Sequence, residues 1–337
     1  DICFQENMKT NYEPKPKFIE RISNLLNNNE EDIKSFFETA KTQPKKAIRC
    51  NTLKISPEEL KKRLEDKGWK IKQPFKDYPE IMQVQSNLLP GELGKTKEHL
   101  LGYYYSQEIT SMMPILALQP KVEDIFLDCC AAPGSKTTQA AALMNNKGII
   151  IANDLSMGRI SILSTNLERQ GITNTIVTRH DFLQLSKKLK ELKMKFNKIL
   201  VDAPCSGEGN IRSSPSTYLN WSEGLLNKLS SKQKRIAEEA LQLLKPEGEM
   251  IYSTCSYAPE ENEEVVQHLL DTYKDNIKIE TITLPIKSRP GITSWKNKKF
   301  SEDIKKCNRF YHHDNDMEGF FVCKIKKLSD KKLGEEK

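Results

Sequence analysis

Apolar residues in IERISNLL and EDIKSFFETA recur at helical spacing, so residues 1–42 read as a polar, helical N-terminal extension. The pattern changes between Gln43 and Tyr78. KKAIRCNTLKI reads as a strand, Pro57 opens the helix EELKKRLEDKGW, and KIKQPF reads as a second strand. Residues 43–90 therefore make a small α+β unit. After the turn-rich NLLPGELGKTKEHLLGYYYSQE comes an apolar helix, SMMPILALQP. Strands are expected at 125–129, 148–153, 174–178, 197–201 and 249–253. Helical patterns follow the first two, and the helix 231–245 precedes the last. Strands alternating with helices over 91–325 predict an α/β fold, a doubly wound and mostly parallel sheet. The segment 276–325 adds further strands, among them the buried GFFVCKI, and 326–337 reads as a charged, disordered tail.

Charge sharpens this division. The 337 residues carry a net charge of +7, which permits a polyanionic partner without requiring one. Within 41–76, however, 12 Lys and Arg stand against 4 Asp and Glu. The excess is thus concentrated in the small unit. A mean hydropathy of −0.62 and no apolar run of about 18 residues argue against a membrane span, and no secretory leader opens the sequence. The eight cysteines form no CxxC pair and no zinc-like spacing, so no metal site is expected. Reduced thiols in an intracellular setting, cytoplasmic or nuclear, are the consistent reading.

Open α/β sheets bind ligands beyond the carboxyl ends of their strands, and here those ends are rich in acids and small residues. The first runs into DCCAAPGSKTT, the second ends at Asp154, the third near Asp181 and the fourth at Asp202. A single such acid is more often a helix cap. Four in succession point to a ligand. There is no GxGxxG and no P-loop, so a phosphate-bearing ligand is disfavoured. An acid-lined crevice suits a cationic ligand without phosphates, and S-adenosylmethionine meets both conditions. Two cysteines, Cys205 in DAPCSGEGNIR and Cys255 in YSTCSYAPEENE, lie just past strand ends on the same rim. A soft nucleophile beside a methyl donor suggests methylation at pyrimidine C5 after thiolate addition to C6. Asp202 would steady the ring as the adduct forms. Chemistry alone does not order the two thiols.

CCAAPGSKT, NDLSMGRISILSTNLERQG, LVDAPCSGEGNIR, YSTCSYAPEENEEVV and GFFVCKI, in this order over 44–325, resemble the RNA cytosine-C5 methyltransferases of the NOL1/NOP2/Sun family. AIRCNTLKIS and HLLGYYYSQEITSMMPILAL look most like its compact tRNA-modifying members. The resemblance implies a Rossmann-like class I methyltransferase domain with Cys255 as nucleophile and Cys205 assisting product release. It implies that Cys130, Ala131, Ala132, Pro133, Gly134, Ser135 and Lys136 cradle the methionine part of S-adenosylmethionine, Lys136 facing its carboxylate. Asp154 would take the ribose, Asp181 the adenine side and Asp202 the region of the sulfonium, with Arg159 close by. The sequence departs from the family pattern at Arg309-Phe310-Tyr311-His312-His313, which lacks the usual proline, and at LKPEGEM, where a glycine pair is common.

The expected partner is a structured RNA, tRNA first and rRNA second, bound by a monomer. Arg49, Lys54, Lys61, Lys62, Arg63, Lys67, Lys70 and Lys72 would supply phosphate contacts, with further basic stretches at 187–198 and 287–309. Tyr103, Tyr104, Tyr105 and Trp295 are candidates for base stacking, though packing is the commoner fate of such residues. Two other readings stand beside this one: an RNA-binding assembly factor with a methyltransferase fold, and a DNA methyltransferase.

Overall fold

The computed structural model describes residues 12–330. Helix α1 (Pro16–Leu25) opens with a proline, whose missing N–H costs nothing there, and turns Phe18, Arg21, Ile22 and Leu25 inward. Helix α2 (Glu30–Ala40) is capped by Asn29, which accepts the Asp32 amide. Both helices pack against distant parts of the chain. Phe18, Ile22 and Phe36 share a core with Tyr218, Trp221, Tyr257 and Tyr311.

The small unit contains β1 (Ala47–Cys50), α3 (Pro57–Glu65), β2 (Ile71–Lys72) and β3 (Ile81–Val84). Two short helices follow, α4 (Glu92–Lys95) and α5 (Lys97–Leu100), and then β4 (Tyr104–Ser106). The antiparallel sheet runs β2-β3-β1-β4, so its fourth strand lies past residue 90. Three residues are too few for an alternation to register in the sequence. Ser56 caps α3 by accepting the Glu59 amide, and Leu60 and Leu64 point into the unit's core.

Helix α6 (Ile109–Leu118), buried nearly all round, leads into the large sheet. There β5 (Ile125–Asp128), α7 (Ser135–Leu143), β6 (Ile149–Asp154), α8 (Met157–Gln170), β7 (Thr175–Arg179), α9 (Phe182–Glu191) and β8 (Phe196–Asp202) alternate. The short α10 (Thr217–Asn220), α11 (Glu223–Leu243), β9 (Leu244–Thr254), α12 (Glu263–Tyr273) and β10 (Ile277–Glu280) come next. Four short pieces, β11 (Arg289–Pro290), β12 (Ser294–Trp295), β13 (Lys298–Lys299) and β14 (Asn308–Phe310), precede α13 (His312–Asn315) and β15 (Phe320–Lys327).

Strands β7-β6-β5-β8-β9 are parallel, and β15 adds antiparallel to β9. Successive residues of each central strand feed opposite cores. Leu127, Ile151 and Ile199 enter one, and Phe126, Ile150 and Leu200 the other. A sheet covered on both faces demands such unbroken apolar runs. Because β5 lies between β6 and β8, the chain leaves β5 and β8 in opposite directions. The crevice opens there, at Asp128 and Asp202.

Two expectations need correction. The helix expected at 231–245 starts at Glu223, where Ser222 caps it, and ends at Leu243. Its inward face includes Ser230 and Gln233, polar residues that interrupt the apolar period. The charged tail expected from 326 begins as strand. Lys326 pairs with Glu249, and the buried Lys327 pairs with Ile277 while its ammonium donates to the Leu244 carbonyl at 2.8 Å. Residues 331–337 lie outside the described residues. Among the described residues no helix is long and apolar enough to cross a membrane.

Candidate active site

The loop after β5 is built for close approach. Gly134 has φ 103°, and a Cβ there would meet Leu163 Cδ1 at 2.8 Å, so only glycine fits without a shift. Ala131 and Ala132 are buried, and the Ala131 amide donates to the Asn153 carbonyl at 2.8 Å. The loop ends at the amino terminus of α7, where Lys136 is nearly buried. Its ammonium lies 2.8 Å from Asp202 Oδ2, 2.9 Å from Ser111 Oγ and 5.3 Å from the Phe320 ring centre. Ser253 donates to the other Asp202 oxygen at 2.8 Å. Lys136 and Asp202, 66 positions apart in the chain, thus face each other across the crevice.

Two cavities meet at Cys130, which lines both. The larger, about 740 Å³, is lined by Asp128, Ala131 to Pro133, Ser135, Lys136, Asp202 and Cys255. Residues from the small unit, among them Lys46 and Tyr105, close its other side. The smaller, about 240 Å³, is lined by Asp154, Arg159, His180 and Asp181. Asp154 is buried, takes the Ser156 amide at 3.0 Å and lies 3.3 Å from the Arg159 guanidinium, which also donates to the Ala132 carbonyl. Asp181 caps α9 through the Leu183 amide at 3.0 Å and borders the smaller cavity as well. Its capping role and its place in the crevice coexist.

The two thiols are neighbours, with Cys205 Sγ 3.1 Å from Cys255 Sγ. Cys255 lines the larger cavity, and Cys205 stands behind it. The hydrogen bond to Cys255, then burial, then the nearby charge of Glu261 hold the Cys205 thiol well above its ordinary range. At this distance the two sulfurs are within hydrogen-bonding reach, and either can be the donor.

Several groups in or beside the site carried no distinct signal. Asp128 stands among the four strand-end acids, but the sequence assigns it no role of its own. Burial pushes its carboxyl up to about 7; Thr137 donates to Oδ2 at 2.7 Å, and Oδ1 has no partner. Ser111 and Phe320 come from helix and strand patterns that indicated only core. Glu208, pushed up to about 7 by burial and then by Glu261, accepts from the Trp221 indole at 2.6 Å.

The expected nucleic-acid contacts divide. Arg49 is buried, so it is not a phosphate contact. Its guanidinium donates to the Ser135 carbonyl at 2.7 Å and to Thr138 Oγ1 at 2.8 Å. Tyr104, Tyr105 and Trp295 are buried as well, which rules out base stacking on them, while Tyr103 lies beneath Arg63 with 5.5 Å between them. In 287–309, Lys287, Arg289, Lys296, Lys298, Lys305, Lys306 and Arg309 all pair with carboxylates. That stretch is basic in composition and largely neutralised in the fold.

Sheet order, two-faced core and acid-lined strand ends define a Rossmann-like class I methyltransferase fold. Residues 115–326 match the family model described as 16S rRNA methyltransferase RsmB/F, and 15–109 match the N-terminal domain of 16S rRNA methyltransferase RsmF. The chain belongs to this RsmB/F family, part of the NOL1/NOP2/Sun group, whose cofactor is S-adenosylmethionine. It is 38% identical over 318 residues to ribosomal RNA small subunit methyltransferase F of Vibrio parahaemolyticus, covering 92% of this chain and 62% of that one. The chain thus spans about three fifths of that relative. With the tRNA (cytosine(49)-C(5))-methyltransferase of Pyrococcus abyssi it shares 37% identity over 317 residues, 92% of this chain and 96% of that one. The solved structure of a methyltransferase homolog from Pyrococcus horikoshii superposes with a TM-score of 0.78 at 34% identity, covering 93% and 100% of the two chains.

The residues present fit the cofactor. A glycine that no Cβ can replace, a buried carboxylate oxygen without a partner and acids instead of phosphate-binding amides suit a cationic nucleoside.

Proposed function

We propose that this protein methylates C5 of cytosine in a structured RNA, with Cys255 as the nucleophile. The observation that carries this is the opening of Cys255 onto the cavity shared by Lys136 and Asp202, with Cys205 at 3.1 Å from its sulfur. The loop Cys130–Lys136, Asp154 and Asp181 would hold the cofactor, with Arg159 bracing the loop through the Ala132 carbonyl. When bound, S-adenosylmethionine supplies the methyl group from its sulfonium.

Cys255 loses its proton to solvent, and the resulting thiolate adds to C6, its electron pair forming the C6–S bond while the C5–C6 π pair makes C5 a nucleophile. Asp202 and Lys136 sit where charge develops on the ring and steady it. C5 takes the methyl group. A base then removes the C5 proton, the C6–S bond breaks, and the electron pair restores the ring double bond. Cys205, in contact with the leaving sulfur, assists this release by protonating Cys255.

Cys255→Ala should abolish methylation and adduct formation. Cys205→Ala should retain attack but stall release, leaving a covalent protein–RNA band on a denaturing gel. Methyl transfer by Cys255→Ala, or no trapped band with Cys205→Ala, would reject the assigned roles. Both a small-subunit rRNA and a tRNA methyltransferase appear among the named relatives, at 38% and 37% identity. We take tRNA as the substrate, on the motif arrangement of the small unit. Labelled methyl transfer to purified tRNA and to small-subunit rRNA, with matched DNA as control, decides between them. A cytoplasmic setting accompanies this reading.

A further inference from the structure

The proposed reaction uses two thiols but leaves out the buried acid that joins their loops. Each cysteine is followed by a serine, and Ser206 Oγ and Ser256 Oγ both donate to Glu261 Oε2 at 2.5 Å. The Ser206 amide donates to Oε1 at 2.9 Å, as does Gln233 Nε2, and the two serine oxygens lie 3.0 Å apart. Glu261 itself has no exposed surface, and its carbonyl accepts the Tyr252 hydroxyl at 2.5 Å. The adjacent Asn262 holds both sides of Cys255: it accepts from Thr254 Oγ1 at 2.5 Å and donates to the Ser256 carbonyl at 2.9 Å. Neither Glu261 nor Asn262 lines the larger cavity.

We propose that Glu261 is a positioning residue that sets the distance between Cys205 and Cys255 by binding the serine next to each. The inference rests on the two-thiol reading above and adds to it the group that keeps the thiols in register. Four donors converge on one carboxylate in a dry interior, where charge-assisted hydrogen bonds are short and strong. The two cysteine loops come from different strands and approach each other at this carboxylate. A displacement of about 1 Å in such a reacting pair costs on the order of a hundredfold in rate. Glutamine cannot replace the carboxylate, because its amide nitrogen does not accept a hydrogen bond and at least one donor loses its partner.

The test uses the full chain and two variants, Glu261→Gln and the charge-preserving double variant Ser206→Ala/Ser256→Ala. The first readout needs no RNA. In a glutathione buffer the thiol pair passes two electrons and two protons to oxidised glutathione, giving a Cys205–Cys255 disulfide and two reduced glutathiones. Mass spectrometry after alkylation counts the closed fraction. Both variants should close with an equilibrium constant at least tenfold lower, about 30 mV for two electrons. The second readout is RNA methylation, where kcat should fall at least tenfold while the KM for RNA stays within about threefold. Wild-type-like closure and kcat in the double variant would overturn the proposal, whether or not Glu261→Gln folds. A tenfold loss of closure with no RNA adduct in the parent protein would instead overturn the two-thiol reaction and leave the placement by Glu261 standing.

Discussion

Asp128 and Glu261 are both buried carboxylates; Asp128 is visible in the sequence as the first of four successive strand-end acids, whereas Glu261 is not recognisable as special from its neighbours. Lys136, Asp202 and the two cysteines are legible because they stand in short motifs at strand ends. Glu261 is not, because a glutamate in PEENEE reads as surface charge, and only the fold turns it inward against two serines. Asp128 gives a pH-dependent signature. Its carboxyl titrates at about 7 in the folded chain, against an ordinary 3.8, chiefly because burial penalises its charge. Between these values the folded protein keeps a proton that the unfolded chain has lost. Stability therefore falls as pH rises through this window, with the full cost reached above about 7. Asp128→Asn removes the penalty. Urea midpoints without cofactor should favour the variant by about 2–3 kcal/mol more at pH 8 than at pH 5, since each pH unit inside the window costs about 1.36 kcal/mol. An equal gap at both pH values would show that the carboxyl is not held protonated.

Elements are legible where their pattern is regular. The five parallel strands fall within a residue or so of expectation, except that β9 starts five residues earlier because α11 ends at Leu243 and the chain pairs at once with β8. The hidden half of α11 and the brief β4 show the limit: periodicity vanishes when the buried positions are polar or too few. Arg49 is a further case, a cation on a strand of a basic unit that spans to another element. It ties β1 to the first turn of α7, the helix that follows the cofactor loop. Burial lowers its guanidinium to about 10 without discharging it at neutral pH. Arg49→Met should cost about 1–3 kcal/mol, since three acceptors, Gln107 Oε1, the Ser135 carbonyl and Thr138 Oγ1, lose their donor, and should weaken cofactor binding about tenfold by titration calorimetry. An unchanged affinity would mean that β1 does not brace the loop.

For the molecule as a whole, composition locates the charge but not its availability. Among the described residues, Lys62, Lys70 and Lys72 are exposed and make no ion pair, whereas the cations of 287–309 are mostly taken by carboxylates. Replacing these three lysines with glutamine should lower the slope of log affinity for RNA against log salt by about 2, counting roughly 0.7–0.9 per lost phosphate contact. A slope that does not move would place the RNA elsewhere. The core shared by α1, α2 and the segment 218–311 has a consequence in time. Phe18, Ile22 and Phe36 leave the ribosome long before Tyr311 and before His312, whose ring donates to the Phe36 carbonyl in α2. At roughly 5–20 residues per second, these helices wait on the order of 15–60 s for the last part of the surface that covers them, after Tyr218 and Trp221 have arrived. During synthesis, this apolar face must be kept from other nascent chains until the segment around Tyr311 and His312 arrives.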